Sequence, residues 1–547
     1  MMEELTRETT RIALYDSTLR DGAQAEGVAF SLNDKFAATI RLDELGVDYV
    51  EGGYPASNEK DKAYFEEIVR RPLKTTQICA FGMTRRKGVR PEDDPGLAQL
   101  VASSAKIVTI VGKGSHFQAR EVLGATLEEN LAMIEETVRF AVDSGKRVFF
   151  DAEHYFDGWS DDSAYSMETL RAAIRGGAEA VVLCDTNGGT MSPMIGAATH
   201  SAVEVVQEFE RPVVVGIHAH NDCGLAVANS LAAVMSGATM VQGTMNGLGE
   251  RCGNADLLVV AANLALKFNG RYDVLTPAAI ERLAAASRFF YDLTNVNPNA
   301  GQPYVGKSAF AHKGGMHVSG INRNPASYEH VPPESVGNER RILVSELSGK
   351  SNILACAKKY RLDEDGSLDS ATVEKILDAI AEKENQGYQY EAADASFRLL
   401  VKKIRGEFEP SFKRINYQTS VAVTVINEKY TDAKTVATVK LSVGKRGEIR
   451  HEVAEGDGPV DALNNALRKA LEPIYPELRE MKLVDYKVRV LNSDAATAAT
   501  TRVIIESRDG EEGWGTVGVS ENVVEASWIA LCDSIEYKLS KAVRDVK

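Results

Sequence analysis

Eight short apolar runs alternate with helical stretches through the first half of the chain, and this alternation restricts the fold more than any other feature. The runs are Arg11–Asp16, Asp48–Gly53, Gln77–Gly82, Lys106–Gly112, Arg147–His154, Ala180–Thr186, Val213–Asn221 and Met240–Gly247. Segments such as Leu32–Leu45 and Thr126–Ser144 carry a helical period between them. Short buried strands alternating with amphipathic helices indicate parallel βαβ units. Eight such units in about 270 residues predict an α/β fold, a (β/α)8 barrel. A doubly wound sheet is the alternative. It ranks lower because no G-x-G-x-x-G follows the first run. Residues able to do chemistry also collect at the ends of these runs, where barrel active sites are built. They are Arg20 and Asp21, Glu153 and His154, Asp185 and Thr186, His218 and His220, and Asn246.

The barrel accounts for half of 547 residues, so further domains follow. Three regions are expected: a barrel over 1–275, a mainly helical linker region over 276–410, and an α+β module over 411–547. The linker region carries loops at Asn295–Gly306 and Asn322–Asn338 and is expected near the barrel mouth. The last region shows a weak internal repeat. Ala437–Val443, a turn and Asp461–Leu471 are echoed by Thr501–Glu506, a turn and Glu525–Ile535. Two strand-then-helix units suggest pseudo-twofold symmetry, a form suited to holding a ligand between halves.

Charge and composition exclude some functions. Asp plus Glu number 78 against 63 Lys plus Arg, a net charge of −15. An acidic chain argues against nucleic acid as a partner. No apolar run approaches the ~20 residues that span a bilayer, so no membrane partner is expected. The N-terminal stretch has no apolar core of a signal peptide. Six cysteines without a C-x-x-C pair fit a reducing cytoplasm.

His218-Ala219-His220 ends the seventh run. Side chains two apart on a strand point the same way, so both imidazoles face one spot. In a closed barrel only the eighth strand separates the seventh from the first, so Asp21 can supply a third, harder ligand. Such a His/His/Asp set fits Mg, Mn, Zn or Co. Arg20 beside a metal can hold a carboxylate, and Gly22 would let the backbone turn there. The glycines of Gly247–Asn254 (GLGERCGN) permit close approach, and Asn254 could reach the metal directly or through its ligands. Glu153 is a candidate acid or base, or half of a rim ion pair. Thr186 offers a hydroxyl to a carboxylate, or caps a helix. His317 and Tyr328 could move protons if the linker region covers the mouth, and are otherwise structural. Cys223 and Cys252 are expected to be small buried side chains.

These motifs carry a resemblance. Tyr15–Gln24 (YDSTLRDGAQ) is similar to the D-[ST]-T-L-R-D-G-x-Q signature of the DRE-TIM metallolyases. His218–Asp222 and Gly247–Asn254 resemble that family's HxHND and G-x-G-E-R-x-G-N motifs. The C-terminal module resembles the regulatory domain of 2-isopropylmalate synthases. The stretches LDELGVDYVEGGYPASNEKD, FFDAEHYFDGW and LCDTNGGTMSP resemble the bacterial citramalate synthase branch. The resemblance implies an acyltransferase that joins acetyl-CoA to a 2-oxo acid, pyruvate in this branch, to give citramalate on an isoleucine route. It implies a divalent metal held by Asp21, His218 and His220, with Asn254 as a possible further ligand. Arg20 and Thr186 would hold the 2-oxo acid. Glu153 matches a glutamate near the reacting centre. His317 matches the histidine of the G-x-H motif, and Tyr328 the tyrosine preceding P-x-x-V-G, here Pro333–Gly337. Both would reach over the mouth from the partner subunit of a homodimer. The C-terminal module would sense an amino-acid effector, isoleucine by resemblance. The base among Glu153, His317 and Tyr328 is left open.

One position departs from the family. Two residues before Glu153, isopropylmalate members carry a small residue and a known type of citramalate synthase an aromatic one. Here stands Asp151, which does not read as an apolar wall. Pyruvate over 2-oxoisovalerate therefore follows from branch likeness. The rival assignments are a 2-isopropylmalate synthase, a lyase of the hydroxymethylglutaryl type, a metallohydrolase barrel and a non-catalytic amino-acid sensor. The lyase branch carries a GCPxAxGxxGN loop. In metallohydrolases the HxH follows the first strand. A sensor has no use for the complete ligand set.

Overall fold

The computed structural model describes residues 9–343, 350–359, 368–426, 430–491 and 499–542. Eight parallel strands close into a barrel in chain order. They are β1 (Ala13–Asp16), β2 (Tyr49–Glu51), β3 (Gln77–Met83), β4 (Ile107–Lys113), β5 (Arg147–Glu153), β6 (Ala180–Asp185), β7 (Val214–Ala219) and β8 (Met240–Gly243). β1 closes the ring on β8, with Ala13 opposite Met240 and Asp16 opposite Gly243. Each expected run became one strand, its ends within four residues of those expected.

Alternation along the strands separates two cores. One face of each strand points into the barrel, where Tyr15, Cys79, Ile107, Phe149, Ala180, Val182 and Met240 pack together. The other face, with Leu14, Val50, Val108, Phe150, Val181, Ile217 and Val241, meets the surrounding helices. Several of the helices are capped by their own sequence. Ser31 accepts from the Asp34 backbone N–H to start Leu32–Leu45, and Gly46 at φ 88° ends it. Thr126 starts Leu127–Asp143 in the same way. The period of two carries upward in β5: Phe149, Asp151 and Glu153 share the inner face. That alternation delivers charged groups to the upper barrel while Phe150 and Ala152 seal the outside.

The chain divides into two compact units. The first runs through Phe310 and takes in His330–Glu339. It continues past residue 275 because the helix Leu283–Thr294 buries Leu283, Ala286 and Phe290 against the barrel core. The second comprises Ala311–Glu329 and the chain from Arg340 onward. It holds two antiparallel three-stranded meanders. They are β9 (Phe412–Ile426), β10 (Tyr430–Val443) and β11 (Glu448–Gly456), then β12 (Lys482–Val490), β13 (Thr501–Arg508) and β14 (Gly513–Ser520). A helix follows each, Pro459–Leu471 and Val523–Ala542. Leu463 and Leu467 of the first helix and Leu531 and Ile535 of the second share one core with Val439 and Val503. The repeat expected from sequence is thus a duplicated βββα unit. Among the described residues no helix is long and apolar enough to cross a membrane. The first eight residues, on which the absence of a signal peptide was read, lie outside the described residues.

Candidate active site

The C-terminal ends of the barrel strands surround a cavity of about 520 Å³. At its floor three side chains converge. Asp21 follows β1, and His218 and His220 belong to β7 and the residue just past it. Asp21 Oδ2 lies 3.2 Å from His218 Nε2 and 3.8 Å from His220 Nε2. The two imidazole Nε2 atoms are 3.4 Å apart. All three residues are buried. Their ligand atoms lie within 4.8 Å of one another, the span of one coordination sphere. Burial alone would favour a neutral Asp21. The charge of Arg20 beside it outweighs burial and holds this carboxyl well below the usual range. Burial pushes His220 down to about 4, which keeps its imidazole neutral and able to ligate.

The loop that carries Asn254 folds back on the barrel and pairs with the end of β7. His220 and Asn254 form an isolated antiparallel bridge. The Ala255 N–H donates to the Ala219 carbonyl at 2.9 Å. Gly253 sits at φ 88°, and a Cβ there would fall 2.0 Å from the Gly247 carbonyl oxygen. Asn254 Oδ1 is buried with no hydrogen-bond partner. A buried, unmatched carbonyl oxygen beside a His/His/Asp set is a donor waiting for a hard cation or its water. The residues present fit a divalent metal.

Arg20 stands next to this cluster and lines the cavity. Its Nε donates to Glu51 Oε2 at 2.5 Å, and its guanidinium lies 4.1 Å from the centre of the Phe81 ring. Burial works against its charge, but Glu51 and Asp21 outweigh that and raise it above the ordinary arginine value. Glu51 is itself fully buried and accepts from Tyr15 Oη at 2.8 Å. The positive group is therefore fixed at one edge of the cavity, its Nε on Glu51 and one outer nitrogen 3.9 Å from Asp21 Oδ2. Thr186 Oγ1 accepts from the His154 backbone N–H at 2.8 Å, which leaves its own hydrogen to donate into the cavity. It does not cap the next helix, which starts at Ser192. Glu153 lines the cavity and is ion-paired with Lys113, its register partner on β4.

Three family models cover the chain. The HMGL-like model matches residues 11–289, the homocitrate synthase post-HMGL domain-like model 304–387, and the LeuA allosteric (dimerisation) domain 391–539. An (R)-citramalate synthase of Geobacter sulfurreducens is 48% identical over 97% of this chain and 98% of its own length. An (R)-citramalate synthase of Aquifex aeolicus is 46% identical over the same shares. The chain belongs to this family. A probable 2-isopropylmalate synthase of Methanopyrus kandleri is more distant, 31% identical over 98% of this chain and 99% of its own length.

As a member of the (R)-citramalate synthase family, the chain is an enzyme, and its motif residues divide between the two units. Asp21, His218, His220, Asn254, Arg20, Thr186 and Glu153 all lie in the first. His317 and Tyr328 lie in the second, stacked with ring centres 4.2 Å apart. One expectation needs correction. Cys223 and Cys252 are exposed, because the loops after β7 and β8 turn them outward. The buried thiol lining the cavity is Cys184, and burial pushes it well above the usual thiol range. The backbone turns at Gly22 as expected, but without glycine's left-handed freedom. Gly22 opens a 3-10 turn without positive φ, and what it provides is room, since a Cβ there would meet the Thr18 methyl at 3.3 Å.

The sequence did not single out Glu51, Lys113 or Gln242. The available signal was a polar residue inside an apolar strand run, which a buried position tolerates only with a partner. Asp151 lines the cavity and is hydrogen-bonded, and burial beside Glu51 pushes it up to about 7.

Proposed function

We propose that the chain condenses acetyl-CoA with pyruvate to give (R)-citramalate and free CoA. The observation that carries this is the charged Arg20 standing beside the Asp21/His218/His220 cluster, in a chain alike over nearly its whole length to (R)-citramalate synthases. Asp21, His218 and His220, with Asn254 as a further oxygen donor, hold the divalent metal, whether Mg, Mn, Zn or Co. When bound, the cation supplies Lewis-acid polarisation of the ketone. Arg20 binds the 2-oxo acid carboxylate, and the Thr186 hydroxyl donates to it. Glu153 is the cavity-lining candidate to take a proton from the acetyl methyl group. The carbon so freed bonds to the ketone carbon, the ketone oxygen takes up a proton, and water cleaves the thioester to release the thiol. His317 and Tyr328 serve proton movement from the partner subunit of a homodimer.

The LeuA-type module supports feedback by an amino acid, isoleucine in this branch, on an isoleucine route. The free cysteines accord with a cytoplasmic setting. The test is thiol release from acetyl-CoA against a panel of 2-oxo acids. Pyruvate should support release and 2-oxoisovalerate should not. Equal release with both would defeat the assignment, and preference for 2-oxoisovalerate would favour 2-isopropylmalate synthase. Isoleucine binding without any thiol release would mark a sensor.

A further inference from the structure

His218 and Gln242 are register partners on β7 and β8. Gln242 is fully buried and is not among the residues that line the cavity. Its amide makes two hydrogen bonds of opposite sense. Nε2 donates to Asp151 Oδ1 at 2.9 Å, and Oε1 lies 2.9 Å from His218 Nδ1. Asp151 Oδ1 accepts this bond whether it belongs to the carboxylate or is the carbonyl oxygen of the acid, so the amide nitrogen faces Asp151. The amide oxygen then faces His218, and it too only accepts. His218 therefore carries its hydrogen on Nδ1. Its Nε2 is the atom turned toward Asp21 and His220, 3.2 and 3.4 Å away. The reverse amide orientation would put a hydrogen on Nε2 and remove His218 as a ligand. His220 has no such anchor, since its Nδ1 is buried without a partner.

We infer that Gln242, pinned by Asp151, is the positioning residue that holds His218 in its ligating tautomer and sets the cation affinity of the centre. This rests on Asp21, His218 and His220 being the ligands. Ligating imidazoles are oriented by the group on their other nitrogen, and loss of that group costs about 10- to 100-fold in metal affinity. Asp151 acts through Gln242, so its effect should vanish when Gln242 is gone.

The test is calorimetric titration of chelator-stripped full-length protein with Mn²⁺, with far-ultraviolet circular dichroism on every variant. The parent should bind one Mn²⁺ per chain. Gln242→Met should weaken binding about 10- to 100-fold. Asp151→Leu should weaken it about threefold to tenfold, and Asp151→Asn should recover most of that, because an amide oxygen still accepts from Gln242. The double variant Gln242→Met with Asp151→Leu should bind no more weakly than Gln242→Met alone. A folded Gln242→Met with affinity within about twofold of the parent would overturn the inference. If that variant does not fold, Asp151→Leu decides, and parental affinity there would overturn it equally. A parent that binds no Mn²⁺ would instead overturn the ligand assignment.

Discussion

Arg20 stays charged and aimed because Glu51 holds its Nε from a fully buried position. Glu51→Gln keeps an acceptor but removes the charge, a difference of about 1.5 kcal/mol. The KM for the 2-oxo acid should rise about tenfold with a smaller change in kcat, read by steady-state kinetics. His218→Ala should lower kcat/KM by at least about 10³-fold, since it removes a ligand of the centre. Asp16 gives a pH prediction. Burial pushes its carboxyl up to about 7, above the ordinary value. The folded state then binds more protons than the unfolded one between those values, so ionised Asp16 costs stability as pH rises. Asp16→Asn should gain on the parent in chemical denaturation from pH 5.5 to pH 8, by at most about 1.4 kcal/mol per pH unit. A pH-independent difference would contradict the shift. Residues carried by motifs on strand ends were legible in sequence. Glu51, Lys113 and Gln242 were not, because each is a polar residue within or just past a mainly apolar run, and its partner comes from another part of the barrel.

Among the elements, the barrel strands were the most legible. Each is short, bounded and largely buried, and several of the helices announce themselves by their caps. Loops were less legible, because their side chains follow backbone conformation and not period. The exposed Cys223 and Cys252 and the unstrained Gly22 are the cases in point. The loop after β8 is the element on which Asn254 depends. Gly253→Ala would place a Cβ against the Gly247 carbonyl in a positive-φ conformation. It should cost about 1–3 kcal/mol of stability and weaken Mn²⁺ binding. Gly189→Ala, with open space around its Cβ, should stay within about 0.5 kcal/mol of the parent when both variants are compared in thermal scans.

At the scale of the whole molecule, two compact units of different construction share one chain. The duplicated βββα unit was legible as a repeat because its helices keep the same apolar spacing. The division between units was harder to read, since the segment around Ala311–Glu329 leaves the first unit and His330–Glu339 returns to it. No hydropathy pattern marks such an excursion. Light scattering should give a particle of twice the 59.4 kDa chain mass. Isoleucine should lower thiol release in the full-length protein, and an unchanged rate at saturating isoleucine would contradict feedback by that amino acid.

The central claim is that Asp21, His218 and His220 hold one cation on which the reaction with pyruvate depends. The most direct measurement is to strip the protein with chelator, add Mn²⁺ in steps, and follow pyruvate-dependent thiol release from acetyl-CoA. Activity should be absent at the start, rise with one equivalent per chain and level off, and His218→Ala should stay flat throughout. Full release by the stripped protein, or by the variant, would contradict the claim.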